Sequence, residues 1–507
     1  MNPADAPGGR RGRRRTVQTH ISVVTLTDGH AFKRKKALRL WGLLDYSTPE
    51  LRLHWCREEL RLNRRLAPDV YLQVAAVGRG REPVVVMRRF DNNDTLVQRL
   101  AAGRAGAPEL RDLGERLRRF HADHPLNQPS GHRGVRAFAR VVHNNLKATG
   151  SFVPALFPDA VHRRLEQQLA AGLRRLRPRL RQRFGGGWAV DGHGDLRLEH
   201  VLIEAGNHGQ GPQKLSVVDC VEFNADLRQV DALSDLAFLV MDLQAHGHSA
   251  LVPALLEGYG ADVDQAVLAL FCAYRAHVRA KVAAVSSSEA ELPETRRQQE
   301  ADMARRHLSL ALAYALPGDA PPSLILLRGF SGSGKSHLAA ALAPWLRADW
   351  HRADVMRKQL HGLDPLARVE GEERKSLYNG AANARTEAAL LAAARASLEQ
   401  GRWVLLDATH LRRESRQRAT ALAEELGVPW LILNLSTPWS VIDQRLVGRG
   451  STASTDPSDA DLAIALEQRQ WCEPLTEEEQ RRSLEVPTDR TAGEVLMELW
   501  QRLGSGG

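Results

Sequence analysis

Apolar and polar residues alternate from Ile21 to Thr27, break at Asp28-Gly29 and resume from His30 to Ala37. Asp-Gly supplies the positive-φ turn that joins antiparallel strands, so this stretch predicts a hairpin. Thr48 followed by Pro49 is an N-cap and first-turn pair, which predicts a helix to about Leu66. A second strand pair is expected near Val70 to Val77 and Pro83 to Arg89, and mostly helical spacing from Leu96 to Arg183, including Glu109 to His121. After Gly185-Gly186-Gly187 short β-elements are expected around Asp191 to Asp219, and helices from Asp231 onward. One helical pattern, Glu294 to Ala315, ends at Leu316-Pro317-Gly318-Asp319-Ala320-Pro321-Pro322. Proline and glycine between two well-patterned elements mark a linker. Beyond it come the apolar strand Leu324 to Leu327, a helix from His337 to Leu346, and a buried strand from Trp403 to Asp407, the layout of one α/β unit.

Length and composition refine this. A chain of 507 residues exceeds one hydrophobic core and calls for two or three domains. Its 43% hydrophobic and 26% charged content is that of a soluble globular protein. Cys56, Cys220, Cys272 and Cys472 form no Cys-x-x-Cys pair, which argues against a disulfide or zinc framework and favours a reducing, cytoplasmic compartment. The net charge is +10, and Arg10, Arg11, Arg13, Arg14 and Arg15 crowd the start of the chain. Residues 1–18 have too little apolar content to order themselves and are expected to be a disordered, arginine-rich tail. No apolar run suits a signal peptide or a membrane span, and nothing indicates an obligate protein partner.

Gly329-Phe330-Ser331-Gly332-Ser333-Gly334-Lys335-Ser336 follows the apolar strand and opens the helix that begins with His337. Gly329, Gly332 and Gly334 let backbone N–H groups converge on phosphates, and the helix offers its positive end. Lys335 adds a point charge, and Ser336 offers a hydroxyl to Mg²⁺. Together they predict an ATP or GTP site.

Three pieces extend this toward phosphoryl transfer. Asp354, three residues before Arg357, is suited to take a proton from an acceptor hydroxyl. Asp407 ends a strand, where a parallel sheet presents groups to Mg²⁺ or substrate. The run Asp443 to Gly450, with Arg445 and Arg449, leads into a polar Ser/Thr/Asp loop of the kind that closes over a phosphate. Over roughly Leu324 to Pro474 these residues resemble the small P-loop kinases related to polynucleotide 5′-hydroxyl kinases and zeta-toxin-like kinases, often labelled AAA-family ATPases. The resemblance implies that Asp354 is the acceptor-activating base, Arg357 its neighbour and Arg449 the lid arginine.

Upstream, Asp191-Gly192-His193-Gly194-Asp195 and, further on, strand Leu215 to Val218 ending at Asp219 give the order catalytic Asp, then metal-binding Asp, of protein-kinase-like folds. With Asp219 to Asn224, Asp231 to Leu239, Phe32 to Lys36 and Glu58 to Pro68, the segment Ile21 to Val285 resembles aminoglycoside-phosphotransferase-like kinases, including a subgroup fused to a P-loop kinase. The resemblance implies that a strand lysine pairs with a helix glutamate: Lys33 with Glu59, or alternatively Lys35 and Glu58. His200 stands where the family carries an asparagine metal ligand, and imidazole favours softer metals than Mg²⁺.

The expected architecture is an α+β, two-lobed kinase-like domain at 19–315, a linker at 316–322, and an α/β P-loop domain with a parallel sheet at 323–507. The expected function is transfer of a phosphoryl group from ATP, with Mg²⁺, to a hydroxyl of a small-molecule or nucleic-acid acceptor. A regulatory pseudokinase controlling the second domain, or a nucleic-acid 5′-hydroxyl kinase, are the alternatives.

Overall fold

The computed structural model describes residues 15–504 except 20, 41–43, 79, 128–129, 206–212, 261–262, 319, 370, 450–457 and 459. The chain groups into two compact units. The first comprises Met1–Ala139, Leu176–Leu243 and His248–Cys272; the second comprises Arg140–Arg175, Gln244–Gly247 and Ala273–Gly507.

The first unit begins with an antiparallel sheet in the order Arg15–Gln18, Ser22–Leu26, His30–Lys35, Glu82–Arg88, Tyr71–Val77. Residues 15–18 were placed by composition in the disordered tail. They pair instead with Ser22–Leu26, register Arg15 to Leu26 through Gln18 to Val23. Backbone pairing compensates for the exposed side chains. The remainder of the tail, 1–14, lies outside the described residues. His30–Lys35 is the central strand, so its lysines do not line an edge. Helix Pro49–Asn63 starts where Thr48 Oγ1 accepts from Leu51 N (3.3 Å). Cys56 joins Val70, Tyr71, Val85 and Met87 in the core beneath the sheet. The helical lobe includes Ala107–Asp123, Ala232–Ala245 and Val252–Tyr259. Two short ribbons, Ala189–Asp191 with Gln229–Asp231 and Val201–Glu204 with Lys214–Val217, frame a loop between them.

The second unit holds a parallel sheet in the order Asp349–Arg352, Val404–Asp407, Leu324–Arg328, Trp430–Ser436, Ser483–Pro487. Leu324, Leu326, Val404, Leu406 and Ile432 are fully buried, as strands covered on both faces must be. The chain leaves the central strand for one side and later returns to the other, so the strands' carboxyl ends part there and open a crevice. Helix Glu294–Ala315, upstream of the proline-rich linker, belongs to this unit. Its Ser309 accepts from Trp500 Nε1 (2.8 Å) and donates to Trp345 O (3.1 Å). The compact units thus do not part at 316–322, because periodicity marks where a helix ends and not what its apolar face packs against.

Candidate active sites

At the crevice of the second unit, Leu324–Arg328 turns through the glycine-rich loop into helix Lys335–Leu346. Gly332 (φ 81°) and Gly334 (φ 99°) take left-handed conformations that favour glycine. A Cβ on Gly332 would lie 2.9 Å from Leu446 Cγ, and one on Gly329 2.7 Å from Ser333 Oγ. The loop is braced from outside. Gln468 accepts from Ser331 N (2.8 Å) and donates to Ser331 Oγ (2.9 Å), while Thr437 (2.9 Å) and Arg445 (3.1 Å) donate to Ser333 O. Lys335 Nζ donates to Phe330 O (2.8 Å), and the buried Ser333 Oγ lacks a partner among the described residues. A loop whose three glycines bare its backbone, with a lysine and a hydroxyl that lacks a partner among the described residues, fits a phosphate chain.

Asp407 is 5% exposed and receives Trp350 Nε1 (3.1 Å), with Arg352 at 3.6 Å. Burial raises its pKa above the usual carboxylate value, against the opposing effects of Lys335 and of a hydrogen bond from Ser336. Asp354, on the helix that follows Asp349–Arg352, pairs with Arg357 (2.9 Å). Arg357 also donates to Asn383 Oδ1 (3.1 Å) and lies over the Tyr378 ring (4.5 Å). One cavity of about 720 Å³ is lined by Gly332, Gly334, Lys335, Ser336, His337, Asp354, Arg357 and Asp407. Arg449 ends helix Trp439–Arg449, and its side chain lies outside the described residues, as does most of the polar loop beyond it.

The first unit assembles a second charged site. Lys33 Nζ meets Glu59 Oε1 (2.8 Å) and Asp219 Oδ1 (2.6 Å). Lys35, two residues on along the same face, reaches Glu59 Oε2 (2.8 Å) and Glu222, which also accepts from Tyr46 OH (2.7 Å). Glu58 points elsewhere, to Arg61 (2.7 Å). Burial opposes ionisation of Lys33, yet Asp219 and Glu59 raise its pKa, so it stays charged. Burial likewise disfavours charge on Asp219, but Lys33 and His200 hold it below the usual carboxylate range.

Asp219 has φ 65°, and its N–H donates to Tyr71 OH (3.1 Å). His200 Nδ1 lies 2.8 Å from Asp195 O and so donates to it; Nε2 lies 3.2 Å from Arg197 and 3.6 Å from Asp219 Oδ2. Arg197 pairs with Asp195 (3.1 Å). Asp235 holds the loop by accepting from His193 N (2.7 Å) and Gly194 N (2.9 Å), and a Cβ on Gly192 would lie 2.6 Å from its Oδ2. Asp235 and Glu222 lie in the sequence motifs without a role assigned to either, while Tyr46, Trp350 and Gln468 lie outside them. Among the described residues no group of three or more His, Cys, Asp or Glu is arranged to hold a metal ion.

With this geometry in view, comparison with known proteins places the chain. "Uncharacterized protein Rv2004c" of Mycobacterium tuberculosis is 31% identical over 463 residues, spanning 90% of this chain and 90% of that protein. The chain belongs to that family. The same figures hold for "Uncharacterized protein Mb2027c" of Mycobacterium bovis. The AAA domain family model matches residues 324–475, the segment that carries the phosphate loop, Asp354 and Asp407. The GDP complex of wild-type aminoglycoside 2′-phosphotransferase-IIIa is similar over 59% of this chain and 92% of its own, at 13% identity and a TM-score of 0.39. This chain carries a lysine–glutamate pair against a five-stranded antiparallel sheet, and a phosphate loop on a five-stranded parallel sheet. No helix among the described residues is long and apolar enough to cross a membrane.

Proposed function

We propose that this protein is a phosphotransferase that moves the γ-phosphoryl group of ATP to a hydroxyl of its acceptor, chiefly in the P-loop cavity. The observation that carries the reading is the convergence of Lys335, Ser336, Asp407, Asp354 and Arg357 on one cavity. Lys335 and the N–H groups of the loop would hold the phosphates, and Ser336 and Asp407 would hold Mg²⁺. Bound there, nucleotide and ion supply the transferable group and screen its charge. Asp354 faces the same cavity and accepts the acceptor's proton, while Arg357, fixed by Asn383 and Tyr378, orients that carboxylate. Arg449 is assigned the closing role over the phosphate. Domains at 19–315 and 323–507 remain the proposed functional division, and the acceptor is a small molecule or a nucleic-acid end.

A screen of metabolites and oligonucleotides for transfer from labelled ATP tests this. Asp354→Asn should lower transfer by about two orders of magnitude or more while ATP affinity stays within about threefold. Equal losses in both would make Asp354 a structural or metal-binding group.

A second reading is favoured by His200. With an imidazole at the asparagine position and Asp219 engaged by Lys33, the first unit acts as a nucleotide sensor with weak transfer of its own.

A further inference from the structure

Behind the Asp195 loop, within the first unit, lies a cavity of about 560 Å³ that the phosphotransfer reading does not use. Its walls come from four elements: Arg118, His121 and Ala122 of helix Ala107–Asp123, Trp188 and Val190 at strand Ala189–Asp191, Ala232 at the start of helix Ala232–Ala245, and Tyr259 with Gly260 at the end of Val252–Tyr259. Two aromatic rings, one arginine and one histidine face it, and no carboxylate does among the described residues that line it. Arg118 is exposed at the mouth, and no hydrogen bond or ion pair is assigned to it among the described residues. Its Nη1 would lie 3.5 Å from a Cβ on Gly260, whose φ of 116° favours glycine, so the bare backbone leaves the guanidinium room. One face of Trp188 is covered by Arg183 at 4.5 Å, and Arg183 is itself committed to Asp231 through two bonds of 2.8 Å. The volume suits a metabolite-sized ligand, the rings suit a flat apolar body, and the uncompensated arginine suits an anionic end.

The back wall joins directly to the catalytic loop. Tyr259 OH lies 2.9 Å from His121 Nδ1, and His121 Nε2 lies 3.2 Å from Asp235 Oδ2. With Asp235 ionised, Nε2 donates to it and Nδ1 accepts from the tyrosine. Asp235 in turn receives His193 N and Gly194 N, the two amides before Asp195. The cavity also touches both sides of one ribbon: Trp188 O accepts from Ala232 N (2.9 Å), and Ala232 opens the helix that carries Asp235.

We propose that this cavity is a second ligand site, for a small aromatic carboxylate, and that occupancy reaches Asp195 through Tyr259, His121 and Asp235. Arg118 binds the carboxylate, Trp188 and Tyr259 take the ring, and the chain of hydrogen bonds stiffens the loop. The proposal concerns binding and loop order, so it stands or falls independently of which unit transfers phosphate.

The test uses the full chain and 2-naphthoate as probe. Calorimetry should show saturable binding with Kd below about 1 mM. Arg118→Glu should weaken it at least about tenfold, the loss of one charge-assisted contact, as should replacing the probe with neutral 2-naphthalenemethanol. Ala122→Trp, a change at an exposed wall position, should abolish binding by filling the cavity. Hydrogen exchange should show the His193 and Gly194 amides slowed by 2-naphthoate. Tyr259→Phe, which keeps the ring and removes only the hydroxyl that meets His121, should still bind 2-naphthoate saturably yet lose that slowing. No saturable binding, or binding indifferent to both Arg118→Glu and Ala122→Trp, overturns the site. Binding without slowed exchange, or slowing that survives Tyr259→Phe, overturns the transmission route.

Discussion

The charges around Asp219 show how single side chains set what the first unit can do. Lys33 lies 2.6 Å from Asp219, and His200 Nε2 faces the other carboxylate oxygen at 3.6 Å, so two nitrogens occupy the surroundings of the proposed metal ligand. An amide at position 200 could still donate to Asp195 O while turning a hard oxygen toward Mg²⁺. His200→Asn is therefore expected to raise Mg²⁺-dependent phosphate release from the first unit at least about tenfold, in the range typical of changes around a metal ligand. The measurement is best made in a full chain carrying Lys335→Ala, and unchanged release would show that His200 plays no part in metal binding. Lys335→Ala alone should cut total nucleotide turnover by about two to three orders of magnitude, as expected for the loss of a preorganised charge. Circular dichroism should stay unchanged, since the lysine's hydrogen bond is to a carbonyl of its own loop. Persistence of most turnover would move the chemistry to the first unit.

Among the elements, helix Ala492–Gly504 is tied to the core of the second unit by a buried tryptophan. Trp500, 1% exposed, donates to Ser309 and lies 4.9 Å from the Trp403 ring, next to the strand that ends in Asp407. Trp500→Ala leaves a large void and removes the donor to Ser309 Oγ, which should cost about 3–5 kcal/mol. Thermal or denaturant unfolding of the full chain measures it, and a loss under about 1 kcal/mol would mean the helix closes over the gap. For the same reason a fragment beginning at 323 lacks Ser309 and should expose Trp500 and Trp345, so variants of the phosphate loop belong in the full chain.

Across the whole molecule, buried neutral histidines make stability pH-dependent. His277, fully buried, has its pKa pushed down from 6.5 to about 3 by burial, with His162 and Lys281 adding to the shift. His193 is likewise pushed down to about 4 by burial. In each case the unfolded chain binds the proton more readily than the folded one. Stability is therefore full above the unfolded value near 6.5 and is lost as pH falls toward the folded values. His277 alone should contribute a loss of roughly 3 kcal/mol between pH 7 and pH 4. Melting temperatures across that range test this, and His277→Leu should flatten part of the slope even if it lowers the melting point at neutral pH. A parallel slope in that variant would assign the acid sensitivity to other groups.

The phosphate loop and the strand ends were legible in the sequence because their determinants are local. Glycines at fixed offsets allow one turn, and an apolar run before it and a helix after it give that turn its context. The hairpin at Asp28-Gly29 and the cap at Thr48 were readable for the same reason. Choosing Glu59 over Glu58 was a different matter. Neighbouring helix residues point about 100° apart, so only the packed helix decides which one meets Lys33. The strand at 15–18 lay hidden because its stability comes from a partner strand and not from its own side chains. Gln468, Trp350, Asp235 and the cavity beside Tyr259 depend on residues far apart in the chain. The sequence by itself determined the chemical groups and their local conformations. Tertiary structure decided which of them meet, because hydrogen bonds and burial are set by distance in space and not by separation along the chain.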